Sequence, residues 1–297
     1  MVSHLGELAA LGTAGCWTVT SMAFEAAGKR IGSLAVNLIR LVLALGFLTI
    51  YCALVRGRAL PSDADGHQWL WLSVSGLVGF TVGDLCLFRA LVLVGARVSM
   101  LIMSLVPPMT ALIGWLLMGE VLGGLDWAGM AITVTGVGWV VLERKPAPAG
   151  TAGRHVPAGV LLALAGAAGQ AVGLVLSKYG MGDYDPFAAT QIRVTAGLAG
   201  FALLFGLIGW WPKVAAGLRN RPAMVRTALG AFFGPFLGVS LSLLAIQHTE
   251  TGVASTIMAI VPVLIIPPAV LIFHERINLR AILGAAMAVA GVALLFL

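Results

Sequence analysis

Asp84 places a carboxylate inside an otherwise apolar run, and Arg89 follows it five residues later. An ionised side chain at bilayer depth costs at least about 2.5 kcal/mol, so it is kept for a partner or a task. Three roles suit Asp84: a buried partner for Arg40 or Arg89, a contact to a substrate amine, or a proton-coupling carboxylate. A separation of five turns a helix by about 140°, so Asp84 and Arg89 do not share a face. Arg89 lies near the end of its run, where a long side chain can snorkel to the headgroups.

Further charges lie within or at the ends of other apolar runs. Arg40 and Arg193 sit near the middle of theirs, and Glu120 and Glu275 close two more. A Glu–Arg clamp between helices is the simplest use for them. Pro107 and Pro262 each remove a helical hydrogen bond in mid-run, as a structural bend or as a hinge lining a cavity. Trp17, Met100, Met103, Met118 and Met258 supply polarisable apolar walls. Ser99, Ser104, Ser240, Ser242, Ser255 and Thr256 supply hydroxyls, and Gln170 supplies an amide. The sequence contains no HExxH, no P-loop and no nucleophile–base set. Its five histidines stand at the edges of apolar runs without metal-ligand spacing. No cofactor is implied.

The elements that must position these groups follow from composition. Of 297 residues, 60% are hydrophobic and 10% charged, and mean hydropathy is +1.01. Soluble domains carry about 25% charged residues. This excludes a soluble globular enzyme, a coiled coil and a disordered chain. The net charge of +6 resides mostly in short loops, which fits membrane topology better than nucleic acid. Cys16, Cys52 and Cys86 all fall in apolar runs and give no disulfide framework. Ten apolar runs are predicted as helices, at 5–26, 33–55, 68–91, 95–118, 126–143, 157–179, 187–209, 223–247, 251–273 and 279–297. The first reads as a retained helix, not a cleaved signal. Residues 144–156 (RKPAPAGTAGRHV) read as a linker between halves 1–143 and 157–297.

The halves repeat. An offset of 155 superimposes Pro107 on Pro262, Glu120 on Glu275, Gly129 on Gly284 and Gly136 on Gly291. It also superimposes Ser75, Gly79 and Gly83 on Gly230, Gly234 and Gly238, two flat stripes suited to close helix packing or to sliding. An offset of 153 aligns Arg40 with Arg193. Five helices per unit put the second copy in the membrane upside down. Such inverted repeats are common in secondary transporters, with the substrate site between them. A substrate is asymmetric, so residues that break the repeat are the better site candidates. Asp84 superimposes on Val239 and Arg89 on Leu244, Ser240 and Ser242 stand opposite Leu85 and Leu87, and Gln170 corresponds to Cys16.

The stretches SLVPPMTALIGWLLMGEVLGGLDWAGMAITVTGVGWVVL (104–142) and AIVPVLIIPPAVLIFHERINLRAILGAAMAVAGVALLFL (259–297) resemble the doubled signature of EamA-like proteins of the drug/metabolite transporter superfamily. Each has a proline in mid-helix, a glutamate ending that helix and a glycine-rich helix after it. The resemblance implies an all-α membrane protein with ten transmembrane helices in two inverted repeats. It also implies a multi-pass protein of a bacterial inner membrane that exports small metabolites by alternating access. Members move amino acids, sugars, nucleotide-sugars and drugs.

The expected activity is therefore secondary-active export of a small metabolite, amino acids first, by a monomer using a substrate or proton gradient. Facilitative uniport or exchange is the alternative. A membrane-embedded enzyme or a channel fits the dispersed charges less well. The expected substrate-binding residues are Trp17, Asp84, Arg89, Ser99, Met103, Gln170, Ser240, Ser255 and Met258. Arg40, Arg193, Pro107, Pro262, Glu120 and Glu275 are expected to be structural or hinge residues. Basic residues favour a cytoplasmic side that leaves both termini outside, whereas the resemblance implies both termini inside.

Overall fold

A computed structural model describes residues 4–118, 123–142, 156–248, 254, 257–271 and 278–294. The described residues contain helices and no strand. In chain order these are α1 (Leu5–Ile31), α2 (Ser33–Val55), α3 (Gly66–Gly76), a π-helical segment (Leu77–Gly83), α4 (Asp84–Met103), α5 (Val106–Met118) and α6 (Gly124–Leu142). The second half gives α7 (Val156–Met181), α8 (Pro186–Ile208), a short α9 (Trp211–Leu218), α10 (Arg221–Ala231), a second π-helical segment (Phe232–Gly238) and α11 (Val239–His248). Then come α12 (Val261–Leu264), α13 (Ile266–Leu271) and α14 (Leu279–Leu294). Five helical stretches are long and apolar enough to cross a bilayer: Ser33–Val55, Gly66–Met103, Val156–Met181, Pro186–Ile208 and Arg221–His248. Val42, Leu54, Leu161, Leu207 and Leu271 stand exposed on the outside, an apolar belt that water would not tolerate.

Local signals set the helix ends. Asp65 and Gln68 form a reciprocal capping box at the start of α3. Asp185 caps α8 just before Pro186, and Asn220 caps α10 just before Arg221-Pro222. The boundary between the third and fourth runs falls at Gly95, whose φ of 84° is open to glycine and strained for other residues. Glu25 caps the helical turn beyond it, accepting from the Ala96 amide at 2.6 Å, and it also pairs with Lys29.

Two features depart from the expected continuous helices. The helix carrying Pro107 is broken outright one turn earlier, where Ser104 and Leu105 donate to carbonyls only three residues back. Pro107 is then a first-turn residue of α5, and Pro262 holds the same place in α12. A proline costs nothing there, because first-turn amides have no helical acceptor anyway. The second departure is the pair of π-helical segments, 77–83 and 232–238, placed one repeat length apart. Each widens its helix immediately before the positions where the repeat breaks, Asp84 and Val239.

The halves pack by exchange. The stripe of Ser75, Gly79 and Gly83 receives α7, and Ser75 donates to the Gly173 carbonyl at 2.6 Å. A Cβ on Gly169 would come within 2.7 Å of the Gly83 Cα, so backbone meets backbone here. The stripe of Gly230, Gly234 and Gly238 receives α1 instead, through Phe24, Thr20 and Trp17. At the far end α6 packs on α14 with paired contacts. A Cβ on Gly136 would meet the Gly284 carbonyl at 2.8 Å, and one on Gly291 would meet the Gly129 carbonyl at 2.7 Å. Residue for residue, each contact is the other's counterpart at the 155 offset, as a two-fold relation between the halves requires. Buried Thr13, Thr18, Thr190 and Thr227 donate to carbonyls four residues back in their own helices, which satisfies hydroxyls where water is absent.

Candidate functional site

Between the halves lies a cavity of about 160 Å³, below the range of about 300–1,000 Å³ typical for drug-sized ligands. The first half contributes Trp17, Phe24, Arg40, Phe80, Asp84, Phe88, Met103 and Pro107; the second contributes Gln170, Arg193, Pro235, Val239, Ser242, Met258 and Pro262. The broken helices at Pro107 and Pro262 and the π-helical segments all reach this wall.

Its polar centre is built from Arg40 and Asp84 of the first half and Gln170 and Arg193 of the second, with Asn37 bonded behind the first pair. Arg40 is 3% exposed and Asp84 is 4% exposed. The Arg40 Nη2 donates to Asp84 Oδ2 at 2.5 Å and its Nε donates to Asn37 Oδ1 at 3.0 Å. Asn37 Nδ2 closes the ring by donating to the Asp84 backbone carbonyl at 3.1 Å. The guanidinium also lies 4.4 Å over the Phe88 ring, a cation–π contact that substitutes for water. From the other half, Gln170 Nε2 donates to Asp84 Oδ1 at 2.7 Å and to the Gly79 carbonyl at 3.3 Å.

Arg193 is the exception. It is 4% exposed and lines the cavity, yet its side chain makes no hydrogen bond or ion pair with any described residue. Its Nε is buried without an acceptor among the described residues. Its guanidinium lies 5.0 Å over the Phe80 ring, and Phe80 also lies 5.6 Å below Arg40. Two glycines make the room. A Cβ on Gly79 would be 3.4 Å from the Arg193 Nη2, and one on Gly76 would be 2.8 Å from the Arg193 Cα.

The structure brings Trp17, Asp84, Met103, Gln170 and Met258 to the cavity wall together with Arg40, Arg193, Pro107 and Pro262. Arg89 is exposed and outside the cavity lining, because its position in α4 turns it away from Asp84 toward the surroundings. Ser99 and Ser240 are fully buried, away from the cavity wall, and their hydroxyls lack acceptors among the described residues. Glu120, Glu275 and Ser255 lie outside the described residues, as does most of the linker. The carboxylate that Arg40 meets is Asp84, the buried-partner role named among the three for that residue; the Glu–Arg clamp falls on glutamates outside the described residues. Sequence reasoning passed over Asn37 and Phe80. A signal for Asn37 was available, since it lies one turn before Arg40 on the same face.

A second polar cluster joins the halves outside the apolar spans. Arg56 donates to Asp63 Oδ2 at 2.7 Å and approaches Asp185 at 3.5 Å. The Tyr184 hydroxyl donates to Asp63 Oδ1 at 3.0 Å. Burial and this bond push the Tyr184 phenol up to about 12. Partial burial works against the Asp63 carboxylate, but the bond from Tyr184 and the charges of Arg56 and Arg58 outweigh it and hold Asp63 below the usual carboxylate range.

Comparison with known proteins agrees with this architecture. The sequence profile of the EamA-like transporter family matches residues 4–142 and again 157–297. An uncharacterized transporter from the cobO 3′ region of a Sinorhizobium species is 32% identical over 128 residues, covering 40% of this chain and 90% of that protein. A protein of known crystal structure superimposes with a TM-score of 0.64 at 20% identity, covering 97% of this chain and 95% of the other; at that identity the likeness speaks to fold alone. With both halves matched, the chain belongs to the EamA-like transporter family and is a multi-pass membrane protein.

Proposed function

We propose that this protein is a secondary-active transporter that exports small metabolites such as amino acids from a bacterial cell. Ten membrane crossings would be arranged as two inverted five-helix repeats, 1–143 and 157–297, joined by the linker 144–156. The observation that carries the reading is the cavity between the halves, with a charged centre drawn from both. Buried charges facing a cavity in a membrane protein mark a substrate path by default. Its walls pair apolar surface from Trp17, Met103 and Met258 with a small polar centre, the make-up of a site for a compact molecule with one polar end. Alternating access would rock one half against the other across the two glycine stripes. The broken helices at Pro107 and Pro262 would supply the irregular backbone that such sites use.

The test is counterflow. Purified protein in proteoliposomes loaded with unlabelled amino acid is expected to accumulate the labelled compound transiently and saturably. Flux that rises linearly with concentration and shows no counterflow would instead mark a channel. An imposed proton gradient, inside acidic, separates coupled export from facilitated diffusion by whether accumulation exceeds equilibrium.

A further inference from the structure

We propose that Arg193 is an anion-receiving residue and that the substrate carries a carboxylate which binds to it. The proposal deepens the transporter reading and rests on the cavity being the substrate site. The charge count carries it. Among the described residues lining the cavity, Arg40 and Arg193 are cationic and Asp84 is the single anion, so 2 − 1 leaves one positive charge. Both oxygens of Asp84 are already engaged, Oδ2 by Arg40 and Oδ1 by Gln170. The Arg193 side chain makes no hydrogen bond to any described residue, although it is 4% exposed and its Nε is fully buried; Asp84 acts on it only through space.

A guanidinium held this way is unfavourable until something completes it. Removing a cation from water without a partner carries a large desolvation cost. Phe80 recovers part of it through its ring face. The planar fork of arginine matches a carboxylate in two parallel hydrogen bonds, and inside low-dielectric walls such a pair is stronger than in water. One unpaired charge and a cavity of about 160 Å³ suit a monoanion. The remaining wall, from Trp17, Leu174, Met103 and Met258, suits an apolar remainder. An amide or amine of the same shape would leave Arg193 unpaired, and an amine would add a second cation beside it.

The test compares matched pairs on the purified, detergent-solubilised protein: phenylalanine with phenylalaninamide, 3-phenylpropionate with its amide, and the twenty amino acids with their amides. Carboxylates are expected to raise the melting temperature by mass action and to bind at least tenfold more tightly than their amides. Arg193→Gln is expected to erase that preference, while Arg193→Lys keeps the charge and part of the preference. Unliganded melting curves for both variants check that each is folded. Three results overturn the proposal: amides binding as well as acids, a preference that survives in Arg193→Gln, or no carboxylate of the panel binding at all. Counterflow in vesicles separates this from the parent reading. Saturable counterflow of only compounds that lack a carboxylate removes the anion site and leaves the carrier. Carboxylate binding lost in Arg193→Gln, with no counterflow, supports the anion site and removes the carrier.

Discussion

At the centre of the first half, Arg40 is held by Asn37 and Asp84. At the equivalent place in the second half, Arg193 has Thr190 and Val239 in their stead. The Thr190 hydroxyl is turned back to the Pro186 carbonyl at 2.8 Å, and valine has nothing to offer a cation. One duplicated framework therefore holds a completed ion pair on one side and an open guanidinium on the other. The difference teaches that symmetry builds the cavity, and that its loss at two positions gives the cavity a charge and a direction for a ligand.

The sharpest way to break this comparison is to remove the partner that only one arginine has. Asp84→Ala is expected to cost about 3–5 kcal/mol, because it leaves Arg40 buried and unpaired. Arg40→Met is expected to do the same to Asp84. The double variant Arg40→Met/Asp84→Leu is expected to regain much of the loss, since neither member of that pair is left facing an empty place; the part not regained is the attraction of Asp84 for Arg193. Arg193→Met breaks no hydrogen-bonded pair and loses only the through-space attraction of Asp84, so it is expected to melt close to or above the wild-type temperature. Thermal unfolding in detergent reads all four. Equal losses in the Arg40 and Arg193 variants would show that the two sites are energetically alike.

A smaller effect is expected from the glycines that separate the halves. Gly76→Ala forces a methyl into the Arg193 backbone, which cannot step aside, so a loss of about 1–3 kcal/mol is expected from overpacking. Gly234→Ala, in the second stripe, meets the Thr20 hydroxyl at 2.6 Å, and a side chain can rotate away. The Gly234 variant should melt closer to wild type than the Gly76 variant. The reverse order would mean that the side-chain-filled stripe is the more tightly packed one.

The comparison can also be sharpened by restoring the missing symmetry. Val239→Asp puts a second carboxylate on the cavity wall and cancels the remaining positive charge. Carboxylate ligands are expected to lose at least tenfold in affinity, about 1.4 kcal/mol, as read by the shift in melting temperature with ligand concentration. Val239→Asn, which adds a polar group without charge, is expected to lose much less. If both variants lose affinity equally, shape and not charge governs the site.

Most of the scaffold was legible in the sequence, because its cause is local or periodic. Apolar length locates the helices, and the 155-residue offset exposes the duplication. Five of the nine expected substrate residues line the cavity: Trp17, Asp84 and Gln170 are polar or aromatic side chains that break the repeat, while Met103 and Met258 are repeat counterparts beside the prolines. What the sequence hid depends on direction and on partners. Arg89 and Asp84 are five residues apart, and only the packing of α4 decides which one faces inward. Pro107 read as a kink because its own effect is visible in sequence, whereas the chain break at Ser104 and Leu105 is imposed by tertiary packing. The openness of Arg193 could not be seen at all, since a missing partner is a fact about space.

The smallest effect is expected at the membrane surface, where loops of the two halves meet through Asp63 and Tyr184. The folded phenol titrates near 12, above its ordinary value near 10. Its contribution to stability is therefore complete below about pH 10 and is lost as pH rises through about 12. Asp63, held below its ordinary range, contributes in the opposite sense: its share is present above about pH 4 and is lost as pH falls further. Because the cluster is partly exposed, solvent screens it and the whole effect should stay below about 1 kcal/mol. Tyr184→Phe removes the bond and the titrating proton together, so its melting temperature should fall less steeply between pH 10 and 12 than that of wild type. Parallel curves would show that the surface cluster does not couple the halves. The comparison would then rest on the cavity alone, where one arginine has its carboxylate and the other has room for one.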